Sequence, residues 1–163
     1  MTDDLIKATR LVPCSVVLLS AGVKDNQDVM TATAMFVAEK VPLLAISVSK
    51  NSTTYELIEE TGECALNIAS TSQVDLVKKV GATHGRDVDK MKTFGIQTEA
   101  ASKIAAPLIT GACAGLECKV VTSMPVSNYM VYLVQVVACS VNDKAVPMAW
   151  HRDKYFGLEK AAG

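Results

Sequence analysis

Apolar residues along this chain recur mostly in short runs with a period of two, the spacing that sets alternate side chains on one face of a strand. Leu44, Ile46 and Val48 alternate through 42–49. Cys64, Leu66 and Ile68 do the same through 63–69, and Leu116, Cys118 and Val120 alternate with Glu117 and Lys119 through 115–123. The segments 13–20 (PCSVVLLS) and 128–142 (NYMVYLVQVVACSVN) are Val-rich and carry no charged helical face, so both predict strands. The segment 29–36 (VMTATAMF) fits a half-buried strand with outward Thr, and its small residues would also let the backbone approach a flat ligand.

Helical spacing appears in three places. Thr53–Thr61 sets Tyr55, Leu57 and Ile58 on one side and acids on the other, with Thr53 and Glu56 as a candidate capping box and Gly62 as a stop. In 72–80, Val74, Val77 and Val80 share a face before Gly81. The stretch 87–94 reads as a short helix closed by Gly95, and 98–107 as a crossing loop. Strands outnumber helices, and the helices do not repeat a βαβ plan. The expected fold is mainly β: one domain over 1–163, an antiparallel barrel with helices over its openings or flanks. Closure would remove the exposed edges of such Val-rich strands.

Composition narrows the function. Of 163 residues, 50% are apolar and 20% charged, which supplies a core and argues against disorder. Sixteen basic and seventeen acidic residues give a net charge of −1 with no basic stripe, so no nucleic-acid partner is expected. No apolar run reaches bilayer length, so no membrane association is expected. The opening MTDDLIKATR alternates charge without an apolar leader core, which suggests a cytoplasmic protein. The five cysteines (14, 64, 113, 118 and 139) are odd in number, form no C-x-x-C pair and sit in apolar stretches, as reduced buried thiols would. With only His84 and His151 to join them, no metal site is expected.

Common catalytic fingerprints are missing. The chain has no phosphate-cradling G-x-x-x-x-G-K-[ST], no G-x-G-x-x-G and no G-x-S-x-G. No side chain stands out as a nucleophile or general base, so the catalytic residues stay unknown. The segment 47–54 (SVSKNSTT) carries a strand straight into a helix and is dense in hydroxyls. A helix start offers unpaired N–H groups and a partial positive charge, which suits a phosphate monoester. Plain helix capping fits the same residues.

The order of further motifs is informative. Pro13, Val16 and Val17 open a strand; Met30 to Ala34 follow as Met-Thr-x-x-Ala; Pro42 to Val48 give Pro-Leu-x-x-x-Ser-Val; Glu56 to Gly62 give Glu-Leu-Ile-x-x-Thr-Gly. Asn67, the run Gly85-Arg86-Asp87-Val88-Asp89-Lys90, Ala106-Pro107-Leu108 and Leu116-Glu117-Cys118 complete the series. Over 13–155 this order resembles the flavin reductase-like, FMN-binding split-barrel family, and the Gly-Arg-Asp-Val-Asp-Lys run looks like its flavoredoxin and ferric reductase branch.

The resemblance implies a split barrel, a homodimer, and FMN in a cleft near the subunit interface. Carried over, Met30, Thr31, Ala32 and Thr33 would line the isoalloxazine and ribityl chain. Ser47, Ser49, Asn51, Ser52, Thr53 and Thr54 would hold ribityl hydroxyls and phosphate. Arg86 and Lys90 would add positive charge, although their spacing also fits a solvated helix face beside Asp87 and Asp89. Trp150 and Tyr155 would approach the ring or tie down the terminus. Met35 stands where relatives often carry an aromatic, and His84 where Ser is frequent. The activity implied is hydride acceptance from NAD(P)H and electron delivery to flavin, a ferric chelate or a redox protein. An FMN electron carrier without NAD(P)H activity, or a flavin-free interaction module, are the competing readings.

Overall fold

Strand β2 (Val17–Val23) is buried on both faces, and the molecule is organised around it. The computed structural model describes residues 3–159. A short helix α1 (Asp3–Thr9) and strand β1 (Cys14–Ser15) lead into β2, which turns back into β3 (Asn26–Ala32). Strands β4 (Ala34–Ala38) and β5 (Leu43–Ser49) follow, then helix α2 (Thr53–Thr61), β6 (Glu63–Ile68), a 3-10 turn (Thr71–Gln73) and helix α3 (Val74–Gly81). Helix α4 (Lys90–Thr93) precedes the two-residue strands β7 (Thr98–Glu99) and β8 (Leu108–Ile109). The long hairpin β9 (Ala114–Val126) and β10 (Tyr129–Val141) comes next, and β11 (Met148–His151) and β12 (Lys154–Gly157) end the fold.

Seven strands form one antiparallel sheet in the order β3-β2-β6-β9-β10-β5-β4. Its two outermost strands, β3 and β4, are consecutive in the chain with Thr33 alone between them. The sheet therefore curls until its rims meet, giving an antiparallel split β-barrel. Register shifts between Leu133 and Val134 and between Val136 and Ala138 mark where the β9–β10 hairpin bends. Ser15 fastens the seam: its Oγ donates to the Ala34 carbonyl at 2.6 Å and accepts from the Ala34 amide at 2.9 Å.

The barrel interior holds Val17, Leu19, Ala21, Ile46, Val48, Leu66, Tyr132 and Val134. Helix α2 plugs it with Leu57 and Ile58, each contributing about 1.5–3 kcal/mol of burial. On the other side, Val16, just before β2, and Leu18 within it pack with Val77 and Val80 of α3 and with Met148. This second layer explains why 13–20 reads as a continuous apolar run: a strand covered on both sides needs no polar face. Segment 101–108 covers the outer face of β6 through Ile104, Ala106 and Leu108. Buried Asn67 anchors that cover, donating to the Leu18 carbonyl and accepting from the Ile109 amide, both at 2.8 Å.

Several local expectations shift. The N-cap of α2 is Ser52, which accepts from the Tyr55 amide at 3.1 Å, so Thr53 is the first helical residue and not the cap. Gly62 ends the helix with φ 67°, the left-handed conformation that costs a side chain most. The C-terminal segment pairs as β11 and β12, and β1 joins them in a three-stranded sheet. Cys64, Cys113 and Cys118 are buried, but Cys139 is exposed and Cys14 half-buried, because a side chain on the outer face of a strand meets solvent wherever no helix or loop covers it.

Candidate functional site

A cleft of about 300 Å3 opens where β5 runs into α2. One wall is the strand-to-helix turn, with Ser49, Asn51, Ser52 and Thr53. The floor is Met30 and Thr31 of β3. The opposite wall is the end of α3 and the loop after it, Val80 through Arg86, and Lys90 closes the far side. The turn is internally braced: the Ser52 hydroxyl donates to the Ser49 carbonyl at 2.8 Å and the Asn51 amide donates to Ser49 Oγ at 3.3 Å.

Among the described residues, the Thr53 and Thr54 amides have no acceptor, while the Ser52 amide donates to the Ser49 carbonyl and the Tyr55 amide to Ser52 Oγ. Thr54 is fully buried, so it is Thr53, which lines the cleft, whose amide remains available beside a hydroxyl-rich turn, the chemistry an anionic ligand needs. Lys50 points away and donates to the Ser127 carbonyl at 2.8 Å.

A second, smaller cleft of about 170 Å3 shares Thr31 with the first and is lined by Ser15, Val16, Ala32, Thr33, Trp150 and Tyr155. Its surface is largely apolar. Strands β11 and β12 place Trp150 and Tyr155 in register opposite each other, and Lys78 Nζ lies 5.9 Å from the Tyr155 ring centre. Together the two clefts form a polar end and an apolar end separated by β3.

Twelve of the residues singled out from sequence line one cleft or the other: Met30, Thr31, Ser49, Asn51, Ser52, Thr53, Arg86 and Lys90 the first, and Ala32, Thr33, Trp150 and Tyr155 the second. Two do not. Ser47 is exposed on β5 opposite Val131 of β10. Thr54 is fully buried, and its hydroxyl donates to Asp28 Oδ2 at 2.6 Å.

The two cations are already engaged. Lys90 is not on a solvated face. Its ammonium is buried, 2.9 Å from Asp28 Oδ1, and donates to the Val29 carbonyl as well. Gly85 packs so closely that a Cβ there would lie 2.6 Å from Asp28 Oδ1, so this position admits no side chain. Arg86 donates through Nε to the Asn51 carbonyl at 3.0 Å and pairs with the Glu56 carboxylate.

Sequence reading missed Asp28 and the partnership of Glu56. An acidic residue next to a strand run is ordinarily exposed, and only the tertiary approach of Lys90 and Thr54 makes a buried Asp28 tenable. Glu56 was legible as half of a capping box and as the start of the Glu-Leu-Ile-x-x-Thr-Gly run, but not as the partner of Arg86. Among the described residues, no group of three His, Cys, Asp or Glu side chains is placed to hold a metal ion, and no helix is long and apolar enough to cross a membrane.

The barrel, the seam at Thr33 and the hydroxyl-lined turn define a class of split-barrel proteins. The family model for the flavin reductase-like domain matches residues 9–159. The chain belongs to that family, which places it among the flavin-linked oxidoreductases. It is 26% identical over 149 residues to the reductase subunit HsaB of a flavin-dependent monooxygenase from Rhodococcus jostii, covering 90% of this chain and 73% of that one. Among solved structures, flavoredoxin from Methanosarcina acetivorans superposes with a TM-score of 0.83 at 24% identity, covering 93% of this chain and 88% of that one. The NADH:FAD oxidoreductase SgcE6 of Streptomyces globisporus superposes at 0.85 with 20% identity, covering 96% and 92%, and has also been solved with NAD and FAD fragments.

Proposed function

We propose that this protein is an FMN-binding reductase that accepts hydride from NAD(P)H and passes electrons to free flavin, a ferric chelate or a redox protein. The observation that carries the reading is the open Thr53 amide together with the Ser49 and Ser52 hydroxyls of the turn beside it. They match the needs of a phosphate monoester, and the apolar second cleft matches those of a flat ring. The cleft residues therefore fit FMN.

Bound FMN would supply hydride acceptance and onward electron delivery, chemistry that no side chain here offers. The chain would do the rest. Ser49, Asn51, Ser52 and Thr53 would hold the ribityl hydroxyls and phosphate, with Arg86 adding charge at the rim. Met30, Thr31, Ala32 and Thr33 would bear on the ring through backbone and small side chains, and Trp150 and Tyr155 would exclude water from its apolar end. Support for a nicotinamide donor comes from the NADH:FAD oxidoreductase relative, and support for a protein partner from the monooxygenase reductase subunit.

The protein would act in the cytoplasm as a homodimer. Met35 and Phe36 of β4 and Met124 and Tyr129 of the β9–β10 hairpin expose large apolar surface that a second copy would cover. Size-exclusion chromatography with light scattering is expected to give twice the chain mass.

The decisive experiment is anaerobic stopped-flow mixing of the FMN-loaded protein with NADH and with NADPH. Loss of flavin absorbance within seconds is expected. A protein that takes up FMN but keeps its absorbance would instead be an electron carrier, and one that takes up no FMN would be neither.

A further inference from the structure

We propose that Glu56 sets how tightly the cleft retains a phosphorylated flavin, by competing with the phosphate for Arg86. The inference rests on the flavin reading above and concerns a residue that lines neither cleft.

Two side chains lining the first cleft are positively charged, Arg86 and Lys90, and each meets a carboxylate of the same chain. Lys90 is locked: its side chain and that of Asp28 are 3% and 4% exposed. A buried pair of this kind does not open to serve a ligand. Arg86 and Glu56 differ, because each side chain is 54% exposed. An exposed pair is weak and readily exchanged.

The guanidinium fork matches carboxylate and phosphate alike. Glu56 lies in the first turn of α2, the end whose Thr53 amide is open on the cleft. A phosphate arriving there meets the positive helix end together with a fixed negative charge at Glu56. It shares Arg86 with that carboxylate or displaces it, and in either case competes with Glu56 for the guanidinium charge. The retained flavin is thereby kept exchangeable, which suits a protein that hands reduced flavin onward.

The test compares Glu56→Gln with the unsubstituted protein by fluorescence titration of FMN and, in parallel, of riboflavin, which lacks the phosphate. Glu60→Gln changes the same charge one turn further along the same helix, at a residue that forms no ion pair with Arg86, and controls for net charge. Glu56→Gln is expected to tighten FMN binding about three- to tenfold, to leave riboflavin affinity unchanged, and to lose the gain in high salt. Glu60→Gln is expected to leave both affinities unchanged. Equal or weaker FMN binding by Glu56→Gln overturns the inference, as does an equal gain for riboflavin or for Glu60→Gln. If the unsubstituted protein binds neither ligand, the flavin reading itself falls, a result distinct from binding that is insensitive to Glu56.

Discussion

Thr54 donates its hydroxyl to Asp28 across 2.6 Å in a site closed to solvent, and so joins the first turn of α2 to strand β3. The same carboxylate takes Lys90 on its other oxygen. Three segments distant in sequence therefore share one buried charge beneath the cleft. Thr53 and Thr54, adjacent and chemically alike, divide the work: one lines the cleft and the other holds its floor.

Lys90→Ala is expected to cost about 3–5 kcal/mol in urea unfolding, because the Asp28 carboxylate then stays buried without its counter-charge. The paired change Asp28→Asn with Lys90→Met should recover much of that loss. A double variant as unstable as the single one would contradict this account.

Thr53→Ala and Thr54→Val should separate ligand binding from stability. The first is expected to weaken FMN binding several-fold in a titration while leaving the melting temperature in place. The second removes a buried hydrogen bond and should cost about 1–3 kcal/mol, read from chemical denaturation.

Glu117 predicts an acid limb. Burial pushes its carboxyl up, but the Ser102 and Lys103 amides at 2.9 and 2.5 Å and the Ser102 hydroxyl at 3.0 Å outweigh burial and hold it below the usual carboxylate range. A lowered native pKa means that the unfolded chain binds the proton first. The stabilisation is complete above the ordinary glutamate range and drains away as pH falls through the native value. Glu117→Gln should flatten that part of a stability–pH curve measured by urea unfolding.

The thiols should respond unequally. Cys139→Ser is expected to change stability by less than about 0.5 kcal/mol, since Cys139 is exposed. Cys64→Ser should cost about 1–3 kcal/mol. A hydrogen bond shared with Cys118, and burial after it, push the Cys64 thiol up, which keeps it protonated and unreactive. A chromogenic thiol reagent should titrate Cys139 in the native protein and reach Cys64 only on unfolding.

Much of the architecture was legible because period-two runs such as Leu44, Ile46 and Val48 report a one-sided strand directly. Helix α2 was read residue for residue from its apolar face and its glycine stop. Its cap was misplaced by one residue because Ser52, Thr53 and Thr54 are chemically interchangeable in sequence, and only the Tyr55 amide selects Ser52. The strands β11 and β12 were not read as strands because their alternation is short and interrupted by Arg152 and Asp153, which turn with positive φ. The site's polar turn was visible from its hydroxyl density. The partners of its cations were not, since Asp28 and Glu56 reach Lys90 and Arg86 only through tertiary contact.

Thr33, the single residue between β3 and β4, has a consequence for protein engineering. The peptide that completes the barrel also floors both clefts, so a library randomising 30–34 to retune ligand preference would edit the closure at the same time. Variation confined to the loop after α3, with Gly85 held fixed, alters a wall that carries no strand pairing and leaves the scaffold intact.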